Sequence, residues 1–111
     1  MSNLPYSPIV KHNDMLYVSG QLPLKNGNLL VDVHDATIQC LLNIEKLLLE
    51  QGSSLEKVVK VTVFMTDLSK FETMNVAYSS IFVNNKPARS AIEVNRLPKG
   101  AIIEIECIAY V

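Results

Sequence analysis

The chain carries no excess of charge of either sign: ten basic and eleven acidic residues among 111 give a formal net charge of −1. So even a balance supplies no basic stripe of the kind that duplex or single-strand nucleic acid binding needs, and a nucleic acid partner is not expected. No apolar run approaches the ~18 residues of a membrane span, and the opening MSNLPYSPIV lacks a charged segment followed by an apolar one; no membrane partner and a cytoplasmic location are expected. Cysteine is scarce. Cys40 and Cys107 are far apart, each inside an apolar pattern and neither in a C-x-x-C spacing, which reads as two buried free thiols. His12 and His34 have no partners at metal-ligand spacing, so no metal is expected. Ser19 in VSGQ lacks the G-x-S-x-G setting of an elbow nucleophile, and SGQLPLKNG lacks the G-x-x-x-x-G-K of a phosphate loop. Repeats, low-complexity tracts and Gly/Ser/Pro linkers are also missing, which leaves one domain over residues 1–111.

What is present is an alternation of strand and helix signals. Met15 to Val18 reads as a short strand that breaks at Ser19 and Gly20, and Asn26-Gly27 as the turn of a hairpin. From Asp32 to Gln51 the period becomes helical, with Val33, Ala36, Cys40, Leu41, Ile44, Leu47 and Leu48 on one stripe and Gly52 placed to end it. A β-branched strand follows, with Val59, Val61, Val63 and Met65 on one side and Lys60, Thr62 and Phe64 on the other. Ser69 is placed to cap a second helix whose stripe is Phe71, Met74, Tyr78, Ile81 and Phe82, and Pro87 stops it. In Ala88 to Asn95, Arg89, Ala91, Glu93 and Asn95 share one face; in Ala101 to Tyr110, Ile103, Ile105, Cys107 and Ala109 oppose Ile102, Glu104, Glu106, Ile108 and Tyr110.

Two helices cover one face of such a sheet, yet the last strand is apolar on both. Ile102, Ile108 and Phe64 would then lie on an uncovered face, and an apolar patch of that kind normally marks an interface. A closed homo-oligomer is the expectation. The chemistry-bearing residues are Arg89 and Glu104. Arg89 is either an edge-strand arginine paired with a carboxylate or a clamp for a ligand carboxylate, which its planar, permanently charged fork matches bidentately. Glu104 and Glu106 either bond across strands to Lys60, Arg89 or Arg96, or one of them is a general base or water-positioning group. Ser19 and Gly20 offer accessible backbone to a ligand, and Asn75 is a polar group on the edge of an apolar stripe that must find a partner.

YVSGQLPL, VVKVTVFMTDLSKFETMNVAYSSIF and PARSAIEVNRLPKGAIIEIECIAYV together resemble the RidA (YjgF) family, over nearly the whole chain. The resemblance implies an α+β fold of the chorismate-mutase type, a mixed six-stranded sheet with two helices on one face, assembled as a homotrimer with ligand sites in the clefts between subunits. It implies hydrolysis of reactive 2-enamine and 2-imine intermediates, released by pyridoxal-phosphate enzymes, to 2-oxo acids and ammonia, with no cofactor. Its alternatives are a non-catalytic module that binds 2-oxo acids, and the L-PSP-type endoribonuclease or translation inhibitor as which the family is also described. By resemblance, Arg89 grips the substrate carboxylate and Glu104 helps to orient the attacking water. Ser19 and Gly20 lie near the ligand, Tyr6 closes the cleft, and Phe71 and Asn75 are helix positions beside it. The chain departs from the family pattern at Pro8, close to the tyrosine, and at Ala91, where many members have cysteine and where the backbone lines the cleft.

Overall fold

The computed structural model describes residues 3–111. A central sheet is built in the order β1 (Ile9–His12), β2 (Met15–Gln21), β7 (Ile103–Tyr110), β5 (Val58–Met65) and β6 (Ala88–Glu93). All neighbours are antiparallel except β5 and β6, which are parallel and joined through α2 (Phe71–Ile81), as a parallel pair requires a crossover. Helix α1 (Val33–Glu50) packs beside α2 and over β2 and β7. Among the described residues no helix is long and apolar enough to cross a membrane.

The α+β architecture with two helices on a mixed sheet agrees with the expectation, but the central sheet has five strands instead of six. The hairpin strands β3 (Leu24–Lys25) and β4 (Asn28–Leu29) pair only with each other, in a separate two-stranded sheet. Its turn is formed by Asn26 and Gly27 at φ 52° and 81°, the left-handed pair that an Asn-Gly turn favours.

Helix α1 lies within the predicted limits. The Asp32 carboxylate accepts the Asp35 N–H at 3.1 Å as the N-cap, and Gly52, at φ 77°, follows the last turn. Its stripe of Ala36, Cys40, Leu41, Ile44 and Leu48 is buried against Leu16, Val61, Val63, Ile103 and Ile105 of the sheet. Helix α2 buries Met74, Ala77 and Tyr78. Ser69 does not cap it: Asp67 caps a preceding 3₁₀ turn, accepting the Ser69 N–H at 3.0 Å, and the chain winds from that turn into α2 with no side-chain cap.

Two bulges shift the strands from their expected phase. In β5 the pairing slips between Val58 and Lys60, so Val58 enters the core while Val59, expected inside, is 41% exposed. In β2 the strand does not end at Val18 but runs on through Ser19 and Gly20 to Gln21, with an extra residue opposite Cys107–Ile105. On β7 the alternation is as expected: Ile103, Ile105, Cys107 and Ala109 are buried under the helices, and Ile102, Glu104 and Ile108 are half-buried on the opposite side. Both cysteines are free and buried.

Asp32→Ala removes the cap and is expected to cost about 1 kcal/mol in urea unfolding. Asp32→Asn, which still caps, should retain most of that stability.

Candidate active site

Strand alternation decides where the two chemistry-bearing side chains point. Arg89 on β6 is in register with Val61 on β5, and Val61 with Cys107 on β7, so Arg89 projects to the helix side of the sheet. Glu104 is three residues from Cys107 on β7, an odd separation, and projects to the open side, in the row of Phe64 and Ile92. Strand β5 also lies between their two strands. The two residues are therefore not an ion pair within the chain. Glu104 and Glu106 form no ion pair with Lys60, Arg89 or Arg96 either; the one among the described residues is His34–Asp35 at 3.4 Å.

Each charge is the centre of its own group. The Arg89 guanidinium lies over two rings of α2, its Cζ 4.7 Å from the Tyr78 centroid and 5.5 Å from that of Phe71. Its Nη1 reaches the Met74 Sδ at 3.9 Å. Phe71, Met74 and Tyr78 are spaced i, i+3, i+7, one stripe of the helix. A groove of about 340 Å³ opens here, lined by Asn75, Tyr78, Phe82, Lys86, Pro87 and Arg89. Two buried polar atoms beside it, Asn75 Oδ1 and the Tyr78 hydroxyl, have no hydrogen-bond partner. Burial pushes the Tyr78 hydroxyl up to about 12, with the Arg89 charge pulling the other way. Ala91, beside Val63, is half-buried on the same side as Arg89.

The second group forms around the β2 bulge. A Cβ built on Gly20 would fall on the Glu104 carboxylate, with Cδ at 2.7 Å and Cγ at 3.0 Å, so the acid lies directly over glycine backbone that no larger residue would leave clear. The Ser19 hydroxyl donates to the Ser7 carbonyl at 2.7 Å, and the Ser19 N–H to the Pro8 carbonyl at 2.9 Å. Those bonds tie the segment that carries Tyr6, itself 58% exposed, to the bulge. Burial raises the Glu104 carboxyl above its ordinary value, and the Glu106 charge adds to the rise.

The predicted site residues thus separate into Arg89, Ala91, Phe71 and Asn75 on the helix side, and Glu104 with Gly20 and Ser19 at the β2 bulge; Tyr6 lies on the exposed segment bonded to that bulge. Tyr78 and Lys86 were not foreseen as site residues; Tyr78 was read as core, and its i+7 spacing from Phe71 was the one signal available. A larger depression of about 580 Å³, lined by Thr66, Asn95, Arg96, Lys99 and Ile102 among others, holds none of the predicted site residues. The cluster of potential metal ligands among the described residues, Asp32, His34 and Asp35, lies at the exposed start of α1, where Asp32 already serves as the cap.

The chain has close counterparts in sequence and fold among known proteins. The family described as Endoribonuclease L-PSP matches residues 1–111. A RutC family protein of Pyrococcus horikoshii is 46% identical over 109 residues, covering 96% of this chain and 86% of that one. Among solved structures, the Rid family protein YyfA of Yersinia pestis is 42% identical with a TM-score of 0.93, covering 96% of this chain and 88% of that one. TdcF of E. coli, solved with bound serine, is 36% identical with a TM-score of 0.94, covering 99% and 91%. The chain belongs to the L-PSP/YjgF/RidA family.

Gly20→Ala is expected to cost about 1 kcal/mol, at the low end for overpacking, because the Glu104 side chain can rotate away. Combining it with Glu104→Ala should remove that penalty in a double-mutant cycle of urea unfolding. A cost that survives the second change would place the strain in the backbone.

Proposed function

We propose that the protein hydrolyses 2-imino acids and their enamine tautomers, the intermediates released by pyridoxal-phosphate enzymes, to 2-oxo acids and ammonia. The observation that carries this reading is Arg89: a guanidinium beside a groove, over aromatic rings, with no carboxylate of the described residues paired to it. A small carboxylate ligand is the natural complement of such a fork. The serine bound in TdcF, a carboxylate-bearing amino acid in a protein of nearly the same fold, supports the same class of ligand.

Glu104 supplies the second half of the chemistry. A protonated imine is already electrophilic at C2, so the protein needs to hold it and deliver water, with no metal or organic cofactor called for. As the water oxygen bonds to C2, its proton passes to Glu104. The resulting carbinolamine takes that proton on nitrogen; as the C–N bond breaks, the C–O double bond forms and the hydroxyl proton returns to Glu104, which passes it to the departing ammonia, leaving a 2-oxo acid and the free carboxylate. A carboxyl raised toward neutrality is a better base for this task than an ordinary one.

Because Arg89 and Glu104 project from opposite faces of one chain, a site that uses both takes them from two copies. The open sheet face fits that role, since Tyr17 and Ile92 are 44% and 45% exposed there beside half-buried Phe64 and Ile108. The reading also includes a cytoplasmic homotrimer, with sheet faces packed toward a shared centre and sites in the clefts between subunits. Retained binding of 2-oxo acids without any acceleration of imine decay would favour the non-catalytic module. RNA cleavage that Arg89→Ala and Glu104→Gln abolish would favour the ribonuclease named in the family's description.

With an imine generated in place by an amino-acid oxidase, wild type is expected to outcompete semicarbazide. Arg89→Ala should lose roughly ten- to a hundredfold in rate, the size of a charge-assisted bond, and Arg89→Lys should not restore it. Coexpressing Arg89→Ala with Glu104→Gln should return activity that neither has alone, since some clefts then combine intact halves. A single-chain site would give no such rescue. In pH profiles, kcat/KM should fall as acidity protonates Glu104, with a midpoint above the ordinary ~4.3 of a glutamate.

A further inference from the structure

A carboxylate clamp needs its arginine aimed, and aiming a long side chain costs rotamer entropy. Arginines are commonly oriented by a protein carboxylate, which would here fill the N–H fork and neutralise the charge that the ligand is meant to meet. Arg89 has no such partner. It is held instead by ring faces and, at one Nη, by the Met74 thioether; these groups are neutral, so no acid cancels the charge that the ligand is meant to meet.

The nearer ring is the more firmly anchored. Tyr78 is 8% exposed, and its ring packs on Phe82 with centroids 4.9 Å apart and planes tilted by 41°. Its hydroxyl has no hydrogen-bond partner among the described residues, and the contacts they give this side chain are those of its ring. What it does contribute is a fixed aromatic face under Arg89. We propose that Tyr78 is a positioning residue that aims the Arg89 guanidinium through its ring and not its hydroxyl, with Phe71 as the second jaw of an aromatic clamp. The role rests on the reading of Arg89 as the carboxylate grip and extends it to the rings that hold that arginine.

The test is calorimetric titration with 2-oxobutanoate, together with NMR of the Arg89 Nε–H, assigned by its loss in Arg89→Ala. Tyr78→Phe should bind within twofold of wild type and keep the ring-shifted Arg89 signal, since the ring is retained. Tyr78→Leu should bind about thirtyfold more weakly, the size of a desolvated cation–π contact, and its Arg89 signal should move to the value of a free arginine. Phe71→Leu, at a half-buried position, should show a smaller loss in the same direction, and it carries the test if Tyr78→Leu does not fold. Binding lost equally in Tyr78→Phe would overturn the proposal by assigning the role to the hydroxyl. So would undiminished binding in Tyr78→Leu, or in Phe71→Leu where the former does not fold, while Arg89→Ala binds poorly. A wild type that fails to bind, or an Arg89→Ala that binds equally well, overturns the carboxylate reading and the clamp with it.

Discussion

Strand β5 is paired on both edges, antiparallel to β7 and parallel to β6, and its alternation sets the direction of every side chain that matters here. Val61, Val63 and Met65 point under the helices and are fully buried, and that burial locks the phase. Shifting the strand by one residue would expose three core side chains and bury Lys60 and Thr62, a change too costly for the register to drift. Once the phase of β5 is set, Arg89 has to face α2 and Glu104 has to face away from it. The bulge between Val58 and Lys60 lets the strand enter the sheet in that phase, with Val58 buried and Val59 exposed.

The two faces solve opposite electrostatic problems in opposite ways. On the helix side a cation is retained without an acid, because Tyr78 and Phe71 offer it negative ring faces in place of a carboxylate. On the open side an acid is retained without a cation, pressed over glycine backbone at the β2 bulge and held above its ordinary pKa chiefly by burial. Neither group has an ion partner among the described residues. The proposed trimer relates them by a heterologous contact that closes on itself, so that each cleft receives a cationic half from one copy and an acidic half from the next.

Much of the fold is legible in local pattern. The Asn26-Gly27 turn, the cap and stripe of α1, and the alternation of β7 each depend on residues within a few positions of one another, where backbone sterics and burial of one face act directly. The errors arise where a distant partner intervenes. Val59 looked like core until pairing with β7 slipped a residue; Ser19 and Gly20 looked like a break until β7 supplied a partner across a bulge; Ser69 looked like a cap until Asp67 held the turn before it. Tyr78 was legible as an apolar stripe position but not as an arginine's platform, because Arg89 comes to it from a strand beyond the end of the helix.

Arg89 and Glu104 were both conspicuous in the sequence, as the arginine of PARSAIEV and the first acid of IEIE, and their chemical capacities follow from residue type alone. By itself the sequence determined the helix and strand periods, the hairpin turn and the identity of these two charged groups, because those depend on local sterics and intrinsic chemistry. That the two groups stand on opposite faces, one stacked on rings and the other over Gly20, was decided only by the tertiary structure. Strand order and pairing phase are settled by which buried faces fit together, and no single segment carries that information.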